Sequence, residues 1–82
     1  MIYVVNNPND DKILELIAEG YNTVPKICKH LLGIPSDFNV AKLPFDDWNT
    51  YCKLRKYCNL RCRHMEKRRE LFKSDTGIWT CL

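Results

Sequence analysis

Glycine and histidine are scarce in this chain, with three Gly and two His among 82 residues. Three glycines leave no Gly-rich loop to cradle a phosphate, and neither Gly-x-Ser-x-Gly nor His-Glu-x-x-His occurs. Catalysis therefore has little to build on, and the expectation is a non-enzyme. Long apolar runs are missing too. The longest, Ile2–Val5, is too short to span a bilayer, so no membrane partner is expected. No charged segment leads into an apolar leader, no Asn-x-Ser/Thr acceptor occurs, and Cys81 is one position from the end, where prenylation needs the fourth. These absences point to a cytoplasmic, intracellular chain with reduced thiols.

Cysteine, by contrast, is plentiful: Cys28, Cys52, Cys58, Cys62 and Cys81. An odd count leaves at least one thiol unpaired in a monomer. In a reducing compartment most of these side chains act as small buried apolar groups. A chain of 82 residues makes one domain, residues 1–82, and buries roughly 60–65% of its unfolded surface. Hydrophobic residues at 45% exclude a disordered tail.

Residues 2–5 are β-branched or aromatic and read as a short first strand. Asn9, Asp10 and Asp11 supply a cap and two first-turn acids. Ile13, Leu14, Leu16 and Ile17 then recur with helical spacing as far as Gly20, so the first helix is expected at about 10–19. Thr23 caps a second helix with Pro25 in its first turn, and Gly33 ends it. Its apolar stripe is Val24, Ile27, Cys28, Leu31 and Leu32. Only Tyr21-Asn22 separates the two, so they should pack together. Residues 34–46, punctuated by Pro35 and Pro44, carry bulky apolar side chains and read as a packed short helix, strand or ordered loop. Asp46 or Asp47 caps a third helical region from about Trp48, with Tyr51, Leu54, Cys58, Cys62, Met65 and Phe72 along one stripe. Asn59 permits a break there into helices of about 47–58 and 60–73. Ser74–Gly77 is a turn signal, and Ile78–Cys81 reads as a terminal strand.

Charge is segregated. Residues 1–51 hold four basic side chains against seven acids, net −3. Residues 52–82 hold nine against three, net +6. The nine are Lys53, Arg55, Lys56, Arg61, Arg63, Lys67, Arg68, Arg69 and Lys73. An arginine fork binds two phosphate oxygens at once, and a basic helix fits a duplex major groove. The same face suits an acidic protein surface, and the plainest reading is a solvated helix face partly offset by Glu66 and Glu70.

The stretch Lys12–Ile34, with Gly20, Thr23 and an apolar-Gly-apolar turn at Gly33, resembles the opening of helix-turn-helix and winged-helix regulators. The segment Arg69–Phe72, the Ser74–Gly77 turn and Ile78-Trp79-Thr80 resemble a helix running into a wing hairpin. The resemblance implies a mainly α (α+β), winged-helix-like domain whose N- and C-terminal strands may pair. It also implies a DNA-contacting role for Arg61, Arg63, Lys67 and Arg68. Two departures stand out. Leu31-Leu32 lengthens the second helix by one residue, and a recognition helix at Ser36–Leu43 would be short and carry only Lys42. Residues 35–46 would then be an insertion, with the later basic helix reading DNA.

Metal binding is the rival chemistry. Cys58 and Cys62 share a helical face and could chelate zinc, with Cys52 and His64 as further ligands. The spacing contains no Cys-x-x-Cys knuckle, and on an unbroken helix His64 points away from Cys62, so core cysteines explain the pattern equally. Trp48, Tyr51 and Tyr57 lie among basic residues, where aromatics can stack on bases; helical spacing favours core for Trp48 and Tyr51.

Two functions are expected from these residues. One is a DNA-binding transcriptional regulator, nucleoid-associated and dimeric on paired half-sites, that contacts duplex DNA through Lys53, Lys56, Arg61, Arg63, Lys67, Arg68 and Lys73. The other is a viral or mobile-element inhibitor or adaptor docking the same helix on an acidic partner.

Overall fold

The computed structural model describes residues 7–82, so the strand expected at 2–5, and any pairing of it, lies outside the described residues. The fold is mainly α (α+β). Helices α1 (Asp10–Ala18), α2 (Val24–Leu32) and α3 (Phe45–Lys67) are followed by an antiparallel hairpin of β1 (Leu71–Lys73) and β2 (Trp79–Cys81).

Local chemistry sets the first two helices where expected. Asn9 Oδ1 accepts from the Lys12 N–H at 2.8 Å to open α1, and Thr23 Oγ1 accepts from the Lys26 N–H at 3.4 Å to open α2. Both end in the same double-bonded cap. In α1 the Tyr21 N–H reaches the Leu16 carbonyl and the Gly20 N–H reaches Ile17; in α2 the corresponding bonds are Ile34 to Lys29 and Gly33 to His30. The residue inside each cap needs a positive φ, which glycine supplies at 111° for Gly20 and 71° for Gly33.

Of the region 34–46, residues 34–44 are an ordered loop with one 3-10 turn at Val40–Lys42, capped by Asn39 Oδ1, and the last two residues already belong to α3. Ile34 is buried, and Val40 and Leu43 pack on the core. The Lys29 ammonium pins the loop by donating to the Ser36 and Phe38 carbonyls, both at 3.0 Å.

The third helix departs from expectation at three points. It begins at Phe45 with Pro44 as an N-cap that makes no side-chain bond, so Asp46 and Asp47 sit inside the first turn, where their charge favours the helix dipole. It does not break at Asn59. Tyr51, Leu54, Cys58, Cys62 and Met65 are all buried at steps of three or four, and that ridge runs through the exposed Asn59 uninterrupted. It stops at Lys67 rather than 73. The Glu70 N–H reaches the Met65 carbonyl and the Arg69 N–H reaches Glu66, the same cap as before, with Arg69 at φ 62° in glycine's place. Phe72, expected on the helical stripe, therefore lies in β1 and is exposed.

The core is the meeting place of α1 (Ile13, Leu16, Ile17), α2 (Val24, Ile27, Cys28, Leu32), the inner ridge of α3, and Leu71 and Trp79 from the hairpin. The hairpin is tied to the α1–α2 turn by the Trp79 N–H donating to the Asn22 carbonyl at 2.8 Å. Among the described residues no helix is long and apolar enough to cross a membrane.

Candidate nucleic-acid interface

Twenty-three residues make α3 about 35 Å long, nearly the full 37 Å length of the molecule. Its buried ridge fixes what faces outward. Lys53, Lys56, Leu60, Arg63 and Lys67 follow one another at steps of three and four, on the side opposite Cys58 and Cys62, and all five are exposed. Among the described residues none of these four cations takes part in an ion pair. Leu60, half exposed, interrupts the basic row. The acids of α3 lie elsewhere: Asp46 and Asp47 in its first turn and Glu66 on its flank.

Arg61 and Arg68 are placed differently. Both turn toward the start of α1 and share one carboxylate. Arg61 grips Asp10 in a fork, Nε to Oδ1 at 2.8 Å and Nη2 to Oδ2 at 2.7 Å, while Arg68 donates from Nη2 to Oδ2 at 2.8 Å and from Nε to Glu70 Oε2 at 2.8 Å. Hydrogen bonding from Arg61, outweighing partial desolvation, holds the Asp10 carboxyl well below the usual carboxylate range. The same bonds raise both guanidinium groups, Asp10 first in each case. Tyr57 strengthens this join, its hydroxyl donating to the Pro8 carbonyl at 2.8 Å.

Sequence reasoning explained Asp10 as a helix-start acid and so missed its role as an arginine clamp. A signal was present: Asn9 supplies the α1 cap, which leaves the neighbouring carboxylate free to face α3. Lys73 lies apart from α3 on β1, its ammonium 5.5 Å from the centre of the Trp79 ring. Trp48 and Tyr51 stack on each other at 6.0 Å, with Tyr51 buried and Trp48 half-buried.

The cysteine–histidine set is not brought together. Cys58 and Cys62 are fully buried, Cys52 is half-buried, and the exposed His64 has its Nδ1 3.2 Å from Arg61 Nη1. Among the described residues no group of three or more His, Cys, Asp or Glu is placed to hold a metal ion. All five cysteines are free thiols. Burial pushes the Cys62 thiol up to about 12, and contact with Cys58 together with burial raises Cys28 well above its ordinary value. The same contact lowers Cys58, while the raised thiols of Cys28 and Cys62 stay neutral and act as packing groups rather than nucleophiles.

No protein-family model, curated protein or solved structure matches this chain.

Proposed function

We propose that this chain is a small DNA-binding regulator that lays the outer face of α3 against duplex DNA. One observation carries the reading: four exposed cations, Lys53, Lys56, Arg63 and Lys67, line one side of a long helix and, among the described residues, none of them is in an ion pair. From Lys53 to Lys67 the basic row runs about 21 Å, and an α-helix fits the width of a major groove. The acidic first turn of α3 favours a contact centred near Leu60 over one at the helix start. A hairpin directly after the longest helix also suits the winged-helix resemblance. In this reading Arg61 and Arg68 fasten α1 to α3, and Lys73 contacts the duplex from the hairpin.

The test is a titration of nuclease-treated protein with duplex DNA at several salt concentrations. Counterion release from the four phosphate contacts of α3 contributes on the order of −3 to −4 to the slope of log K against log salt, and Lys73 adds about one more. Salt-insensitive or undetectable binding at micromolar protein overturns the proposal. A second reading, docking on an acidic protein surface, draws on the exposed Leu60 and Phe45 of the same helix, 53% and 75% accessible. It predicts a stoichiometric acidic partner that stays bound after nuclease treatment.

A further inference from the structure

A groove of about 220 Å³ lies between α3, the hairpin and the start of α2, lined by Thr23, Arg55, Asn59, Lys73 and Trp79 among others. We propose that this groove is a phosphate clamp that takes one backbone phosphodiester of a bound nucleic acid. The proposal rests on the reading of α3 as a duplex-contacting helix and adds to it a second, separately built contact.

The groove has the chemistry of an anion site. Arg55 and Asn59 are one turn apart on the flank of α3, so their side chains lie side by side. Lys73 comes from a different element, the end of β1, and Trp79 beside it is 97% buried, so its ring is held by the core, while its backbone is bonded to Asn22. An ammonium held against a fixed ring gives up less freedom on binding than a free one. No acidic residue lines the groove, and among the described residues neither Arg55 nor Lys73 is in an ion pair. Two unpaired cations facing one small cavity repel each other until an anion sits between them. A guanidinium fork matches two oxygens of a phosphate, the ammonium supplies a point charge, and the Asn59 amide supplies a neutral donor.

The start of α2 adds little. Pro25 has no N–H, and the Lys26 N–H is already bonded to Thr23 Oγ1. The side-chain donors can be removed one at a time. Position selects a phosphodiester over a free anion. Arg55 and Asn59 lie on the flank of α3 next to the outer row, Asn59 one turn before Arg63, so a strand passing along that row runs beside the groove.

The test compares the full chain with the Arg55→Gln/Lys73→Gln double variant in duplex titrations across a salt series. Far-UV circular dichroism and thermal melting establish that both are folded. The expected result is a salt slope smaller in magnitude by about one, for the one phosphate contact removed, with weakening that is uniform across unrelated duplex sequences. In the wild type, duplex addition also shifts the Trp79 indole resonance, and in the double variant it does not. Steep salt-dependent binding by the wild type with an unchanged slope in the variant overturns the clamp and leaves the α3 reading standing. No duplex binding by the wild type overturns the α3 reading and the clamp with it. Saturation of the Trp79 shift by inorganic phosphate alone, unaffected by added duplex, overturns the assignment to a nucleic-acid backbone.

Discussion

Two flanks of α3 carry the same kinds of basic side chain and use them differently. Toward α1, Arg61 and Arg68 converge on Asp10, and their charge is spent holding two helices together. On the outer side, Lys53, Lys56, Arg63 and Lys67 are exposed and, among the described residues, take part in no ion pair. A net charge of +6 over residues 52–82 counts all of these alike. The folded chain separates them, because one aspartate 51 and 58 residues away in sequence claims two of the arginines. Charge segregation in a sequence therefore locates a basic region, and the ion-pair partners decide which part of it can meet another molecule.

The sharpest way to break this comparison is at the inner ridge, where side chains hold the helix in place. Met65 is fully buried, and Met65→Ala is expected to cost about 2–5 kcal/mol, measured by denaturant unfolding. At the joined flank, Asp10→Ala removes three charge-assisted bonds from a partly solvated network. The expected loss is about 1 kcal/mol, a drop in melting temperature of about 4–8 °C. Because the folded carboxyl is held below its unfolded value of roughly 3.9, its stabilisation is complete above that value and is lost as pH falls through the folded one. The stability gap between wild type and Asp10→Ala should thus stay constant from about pH 6 to 8 and close in acid. At the end of α3, Arg69→Gly relieves a positive φ, and a stabilisation of about 1 kcal/mol is expected in thermal melts. On the outer face, Leu60→Ala should change stability by less than about 0.5 kcal/mol, since nothing packs on it from within. A large loss there would place Leu60 in the core and erase the distinction between the faces.

The parts of the fold legible in the sequence are those governed by local chemistry. Asn9, Gly20, Thr23 and Gly33 mark the ends of α1 and α2 because a cap or a positive φ demands those residue types. The end of α3 uses the same cap but fills the left-handed position with Arg69, which carries no such mark, so the helical pattern seemed to run on to Phe72. Asn59 looked like a break because its intrinsic preference is weakly helical, whereas the buried Cys58 and Cys62 on either side hold the helix through it. The outer basic row was legible as charge. The claim of Asp10 on Arg61 and Arg68 was not, since it depends on how α1 lies across α3. Arg55 stood among the basic residues, but only the hairpin brings Lys73 and Trp79 across from it.

The central claim is that the outer cations, not the inner arginines, meet the partner. Duplex titrations across a salt series with two variants test it directly. Lys53→Ala/Lys56→Ala/Arg63→Ala/Lys67→Ala should lose most of the salt slope, about one unit for each of the four contacts removed, while keeping the wild-type melting temperature. Arg61→Gln/Arg68→Gln should keep the slope and melt earlier. The reverse pattern, with the slope lost in the arginine variant and retained in the outer-face variant, would contradict the account.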